Sequence, residues 1–336
     1  MGTSSSRPLR RLGFLTIGLF DPAEPAGGHE ETLRLIELGE RLGFDSAWLR
    51  HRHLQYGISS PIAVMAAATQ RTSTIELGTA VTPLGAENPF RLAEDLGTLD
   101  VLSGGRINPG FSVGPPMNYD HFKDALYPGT ADGEELSYPR LDRLLDYLDG
   151  APVSDLEGTV GIETFARTIQ PHSPGLRRRI WYGAGSLSSA EWAGSRGLNL
   201  LTSSVVKAEG SGDDFATIQR RHIDAFRARH PDGEQARVSQ GLVVIPTDSA
   251  TAGQAERYAA YAAARMDRTR RPQGPAGLLF APDLVGPSAE LAERLADHAG
   301  FAAVDEVAFA LPFTFGHDDY AQILTDLAGA LRPLLA

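Results

Sequence analysis

The stretch Arg50-His51-Arg52-His53 carries the densest reactive chemistry in the chain. Side chains alternate along an extended backbone, so imidazoles two residues apart share one face of a strand. Imidazole exchanges protons near neutral pH and also ligates divalent metals. A metal pair, as in barrel hydrolases, is one use for this spacing, but such a site needs further His, Asp or Lys ligands at neighbouring strand ends. Those ends carry Thr, Ser, Gly and Pro, so no metal is expected. A solvated position in a basic loop suits His53. For His51, on the face of Ala47 and Leu49 at a strand end, an acid/base role is expected.

Two other runs hold small and hydroxylic residues. Gly183-Ala184-Gly185-Ser186-Leu187-Ser188-Ser189 leads into a helical pattern. Small residues let backbone amides approach an anion, and a helix N-terminus adds a favourable dipole. The same run also reads as an ordinary capped helix, with Ser188 or Ser189 as the N-cap. Thr79-Ala80-Val81 would let a flat ring lie against the backbone.

These residues fall at the ends of apolar segments that alternate with helical ones. Strands are expected at Leu12–Leu19, Phe44–His51, Ile75–Val81, Arg106–Val113, Arg179–Ala184, Leu198–Leu201, Val238–Ile245 and Val307–Leu311. Helical spacing fills most of the intervals, for example Gly28–Leu42 and Pro89–Leu102. Pro109 sits awkwardly in the fourth strand, because proline cannot donate to a ladder. Eight strand–helix units predict a (β/α)8 TIM barrel, whose active site lies at the C-terminal strand ends. An open doubly wound sheet would show a G-x-G-x-x-G turn after its first strand, and FDPAEPAGG stands there instead. Residues 114–179 break the rhythm with Pro, Gly and Asp around one helix at Glu134–Leu148, which reads as a long insertion between strands 4 and 5. The expected organisation is a flexible tail over 1–11 and a single domain over 12–336.

Composition narrows the function. The chain has 336 residues, 42% apolar and 22% charged, which is ordinary for a globular protein. A formal net charge of -11 argues against general nucleic-acid binding. The absence of Cys removes disulfides, thiolate nucleophiles and Cys-ligated metals. Arg10-Arg11 before an apolar run resembles an export signal, but the run is short and no A-x-A site follows. A cytoplasmic location is expected, with no membrane segment.

The segments GFDSAWLRHRHLQYG, IELGTAVTPLGAENPFRLAEDLGTLDVLSGGRINPGFSVG and IWYGAGSLSSAEWAGSRGLNLL, in this order, resemble the bacterial luciferase-like flavin-dependent monooxygenases. The resemblance implies FMN in the barrel mouth, with its phosphate at the Gly183, Gly185, Ser186 and Leu187 turn. It places Thr79 and Ala80 beneath the ring, with a non-proline cis peptide there. It assigns His51 as the catalytic His, Ser112 to the place of a reactive Cys and Val113 to that of an Arg. It implies oxygenation of a small organic substrate by reduced FMN and molecular oxygen, with a separate flavin reductase. The family pattern E-H-H reads Arg50-His51-Arg52 here, and the missing Cys gives no ground for light emission. A deazaflavin coenzyme serving hydride transfer on the same barrel is the alternative, and a non-catalytic flavin carrier a third reading. Small residues over Ala63–Ala68 would let two helices approach in a homodimer.

Overall fold

The computed structural model describes residues 7–210 and 212–336. The barrel strands are Arg11–Thr16, Ser46–Leu49, Glu76–Thr79 continued by Thr82–Pro83, Ile107–Asn108 continued by Gly110–Ser112, Trp181–Gly183, Asn199–Thr202, Val238–Gln240 and Glu306–Ala310. They form one ten-stranded parallel sheet. Its terminal members are the two interrupted strands, and both halves of the third pair with both halves of the fourth. The sheet therefore closes into a ring of eight, as expected of a TIM barrel. The fourth strand breaks at Pro109, as its missing N–H requires, while the Pro109 carbonyl still accepts from the Trp181 N–H at 2.8 Å.

The sheet divides the apolar residues between two sides. Inside the ring lie Trp48, Trp181, Leu201 and Ala308, with Leu15, Ala80 and Val81 against them. Outside, Ala47, Leu49, Leu77 and Phe14 join the core beneath the helices. The two indoles meet edge to face with centroids 5.3 Å apart. Gly78 stands opposite Trp48 in the register, and a Cβ there would lie 2.3 Å from the indole. Large rings at the centre thus require small residues on the adjacent strand.

At the opposite end from the mouth, charges link strands distant in sequence. Arg237 bonds Glu306 at 2.9 Å and reaches Glu76 at 3.4 Å. Arg11 pairs with Glu76 at 2.7 Å.

Several boundaries differ from the sequence reading. The Leu9 amide donates to the Leu335 carbonyl and its side chain is buried, while Arg11 already belongs to the first strand. Of the tail expected over 1–11, residues 1–6 lie outside the described residues, and 7–11 are tied to the body by backbone hydrogen bonds to Ala302, Asp305 and Leu335. The segment 114–179 is not one irregular excursion. Its helix, Tyr138–Leu148, buries Leu141, Leu144, Leu145 and Leu148 and packs on helix Pro89–Ser103. It takes the place of a barrel helix and leaves two shorter excursions, the second carrying an exposed hairpin, Gly158–Val160 and Glu163–Phe165. Val238–Ile245 is two strands, because Gly241 separates Val238–Gln240 from Val244–Pro246, which pairs outside the barrel with Leu284–Gly286. Val205–Lys207 similarly leaves the barrel to pair with Leu278–Phe280. No described helix is long and apolar enough to cross a membrane.

Candidate active site

Two adjoining chambers open at the C-terminal strand ends. The smaller, about 250 Å³, is bounded by Ala80, Val81, Gly183, Gly185, Ser203 and Ser239. The larger, about 460 Å³, lies toward the first and eighth strands, between Ile17, Met117, Val243, Phe280, Leu311 and Phe313. Leu15, Arg50, Arg52 and Ser203 line both. A broader depression of about 840 Å³, bounded by Glu31, Arg34, Arg257 and Asp319, touches no barrel strand and offers only a charged surface.

The end of the second strand is arranged differently from the sequence reading. Trp48 points into the ring, so period two directs Arg50 and Arg52 inward. Ala47 and Leu49 face the helices, and His51 follows them. His51 is 1% exposed and lines neither chamber. This corrects its expected place at the mouth: the face of Ala47 and Leu49 is the outer face. Among the described residues neither ring nitrogen makes a hydrogen bond of good geometry. Burial pushes its pKa down to about 4, helped by His53 and Arg52 and opposed weakly by the Ser59 backbone. The imidazole is therefore neutral at physiological pH. Its ring lies 4.6 Å from that of His53, which lies 5.1 Å from Phe122. Among the described residues no third His, Asp or Glu joins the two histidines.

The small-residue floor is only partly as expected. Ala80, Gly183 and Gly185 line the smaller chamber. The cis peptide falls at Ala80–Val81, one residue beyond Thr79-Ala80. A Cβ on Gly183 would lie 2.7 Å from the Val81 side chain, whereas one on Gly185 would meet nothing within 4 Å. Thr79 and Ser112 line neither chamber. The Thr79 hydroxyl donates to the Gly110 carbonyl and accepts from the Gly110 N–H, both at 2.9 Å. It joins the third strand to the fourth and spends its one donor there. Ser112 pairs with Pro83 in the sheet. Ser239, on the seventh strand, was not anticipated. Its buried hydroxyl borders the smaller chamber and has no partner.

The turn after the fifth strand is already capped. Ser186, not Ser188 or Ser189, is the N-cap of helix Leu187–Ser195, in a reciprocal capping box with Ser189. The Leu187 N–H donates to the Glu209 carboxylate at 2.8 Å. Glu209 sits at φ +53, uncommon for a non-glycine residue, and its other oxygen lies 3.4 Å from His222. A carboxylate of the chain itself thus occupies the helix N-terminus.

The walls of the larger chamber come from regions that the sequence reading left without a role. Arg265 and Arg268 pair with the buried Asp283 at 2.5 and 3.4 Å. Arg50 lies 5.0 Å from the Phe313 ring centroid. Period-two alternation counted from Trp48 would have exposed Arg50 and Arg52 as mouth residues. Nothing local marks Arg265, Arg268 or Asp283.

A closed parallel barrel with chambers at the C-terminal strand ends is the arrangement in which barrel enzymes carry their active sites. The sequence model of the luciferase-like monooxygenases matches residues 11–308, and the chain belongs to that family of oxidoreductases. It is 34% identical over 182 residues to limonene 1,2-monooxygenase of Rhodococcus erythropolis, covering 48% of this chain and 44% of that one. It spans about half the length of the curated relatives it matches. The fold is similar to the oxygenating constituent of 3,6-diketocamphane monooxygenase from Pseudomonas putida in complex with FMN, at TM-score 0.69 and 15% identity, over 98% of this chain and 99% of that one. It is also similar to a secondary alcohol dehydrogenase dependent on coenzyme F420, at TM-score 0.61 and 16% identity, over 96% and 99%.

Proposed function

We propose that this chain is an FMN-dependent monooxygenase, which oxygenates a small organic substrate with reduced flavin delivered by a separate reductase. The observation that carries this reading is the smaller chamber. Gly185 leaves backbone open on one side, Gly183 makes room for the Val81 side chain, Ala80 and Val81 form a low floor, and the buried Ser239 hydroxyl, without a partner among the described residues, awaits a polar edge. Those features suit a flat heteroaromatic ring. Bound reduced FMN would supply the electrons for cleaving oxygen, one atom entering the substrate and the other leaving as water. The chain's own part is to orient both molecules and exclude solvent. His51 has a packing role in this reading, because its ring lines neither chamber. The Gly185-Ser186-Leu187 turn receives the phosphate once Glu209 moves aside.

The test is a titration with FMN and riboflavin, oxidised and reduced, beside an oxygen-uptake assay. Reduced FMN should bind more tightly than oxidised FMN. Aspartate is also a good N-cap, so Ser186→Asp should keep the helix while adding charge against the phosphate. Undiminished FMN affinity in that variant would remove the phosphate from this turn. No dinucleotide fingerprint is present, so the pure protein with NADH and FMN should oxidise little nicotinamide. Rapid oxidation without added reductase would refute the two-component reading.

A deazaflavin-dependent hydride transfer is the second reading, supported by the similarity to the F420-dependent dehydrogenase. It predicts tight deazaflavin binding and no oxygen uptake. A homodimer would use helix Pro61–Thr69, where Ala63 and Ala67 lie exposed one turn apart, and sedimentation measures that directly.

A further inference from the structure

We infer that the larger chamber takes a small organic anion, an apolar body bearing a carboxylate or sulfonate, whose charge is held by Arg50 and Arg52. The inference rests on the proposed function in one respect, that the smaller chamber is left to the flavin.

Arg50 and Arg52 stand on the wall common to both chambers. Neither has a carboxylate partner among the described residues. Arg50 donates only to the Gln55 side-chain carbonyl at 3.3 Å, and its guanidinium lies against Phe313. Arg52 donates to the His51 carbonyl at 3.1 Å, and its Nε is buried without a partner. Burial, and after it the neighbouring Arg52, push Arg50 down to about 10. Leaving a partly buried charge unanswered is costly, and the fold does answer the other two arginines of this chamber with Asp283. Four arginines facing one aspartate give the chamber three excess positive charges, in a chain whose net charge is -11. That local reversal of sign focuses anions into the mouth.

The rest of the wall decides the body of the ligand. Ile17, Met117, Val243, Leu278, Phe280 and Leu311 are apolar. A free inorganic anion would leave this surface wet, and a neutral hydrocarbon would leave both guanidiniums unpaired. An amphipathic anion satisfies both. A volume of about 460 Å³ suits a small organic molecule, and the planar guanidinium fork matches a carboxylate bidentately.

The probe pair is naphthalene-2-carboxylate and its neutral isostere naphthalene-2-carboxamide, titrated calorimetrically into flavin-free protein at low salt and at about 0.5 M NaCl. The acid should bind at least about tenfold more tightly than the amide, and salt should weaken only the acid. Arg50→Gln and Arg52→Gln should each cost the acid about tenfold and leave the amide unchanged, with Arg52→Lys intermediate. Ala310 also lines the chamber, and Ala310→Trp, which puts an indole into it, should abolish both. Equal, salt-independent affinities for acid and amide in the unaltered protein would overturn the inference, whatever the variants do. So would acid binding that survives Ala310→Trp. FMN and riboflavin titrations supply the remaining arm. If the two Gln variants weakened FMN but not riboflavin, the pair would belong to the cofactor phosphate and the inference would fall. If the unaltered protein bound the acid selectively but no flavin, the flavin reading would fall and the anion site would stand.

Discussion

His51 shows how far a residue can be read without its neighbours. Its type and strand-end position were legible, and its neutral state follows from burial beside Arg52 and His53. The direction of its side chain was not legible, because strands buried on both faces carry apolar residues at odd and even positions alike. The depressed pKa has a thermodynamic consequence. The unfolded chain takes up this proton near the ordinary 6.5, the folded chain only near 4. The unfolded state therefore gains protons first as pH falls. Stability from this group is full above about 6.5, declines between 6.5 and 4, and is flat below 4, a total of about 3 kcal/mol. His51→Phe should remove that slope. In urea denaturation at pH 7 and pH 5, the unaltered protein should lose about 2 kcal/mol more than the variant. Parallel pH dependence in the two proteins would show that His51 does not titrate in this way.

At the scale of elements, the helix Leu187–Ser195 is the informative case. Its existence was readable from the run Ser186 to Ser189, but the cap is Ser186 where Ser188 or Ser189 is expected from the sequence. Its occupation by Glu209 was not readable, since the two segments meet only in the folded chain, where the Lys207 N–H donates to the Gly185 carbonyl at 2.7 Å. Glu209→Ala should lower thermal stability by the loss of a cap, about 1 kcal/mol. It should also raise FMN affinity about fivefold by freeing the Leu187 N–H and the helix dipole, leaving riboflavin unchanged. Weaker FMN binding in the variant would mean that Glu209 assists the cofactor and does not exclude it. The segment 114–179 was recognised as irregular, but its buried helix was counted within the irregularity. Helix Tyr138–Leu148 is held by four buried leucines and by Tyr138 stacked on Trp192 at 4.0 Å. The hairpin tip at Ile162 is fully exposed. Brief thermolysin digestion should cut near Gly161-Ile162 and spare that helix. First cleavage inside Tyr138–Leu148 would contradict this packing.

For the whole molecule, closure depends on groups far apart in the chain. Arg237 on the approach to the seventh strand bridges Glu306 of the eighth and Glu76 of the third, and lies 4.7 Å over the Trp181 ring. Glu306 is buried, and burial raises its pKa against the lowering effect of Arg237 and Arg11. Arg237→Met should cost about 3 kcal/mol by leaving the buried carboxylate with Arg11 alone, 3.8 Å away. Glu306→Gln in the same protein should restore part of the loss, since the isostere removes a buried charge left with one distant partner. A double variant no more stable than Arg237→Met would show that the loss comes from packing on Trp181.

The amino-acid sequence alone determined the alternation of eight strands with helices, the parallel barrel that alternation requires, and the family to which the chain belongs. Those properties rest on local periodicity, glycine and proline punctuation, and short runs such as GFDSAWLRHRHLQYG, each contained within a few tens of residues. Tertiary structure decided which faces those runs present. It turned Arg50 and Arg52 into the mouth and His51 away from it, used the Thr79 hydroxyl to join two strands, and set Glu209 on the helix that small residues had marked for an anion. It also gave Arg265 and Arg268 an aspartate while leaving Arg50 and Arg52 without one. The reason is physical: period two fixes that neighbouring side chains point oppositely, but only ring closure decides which direction is inward, and only packing across the barrel decides which charges find partners.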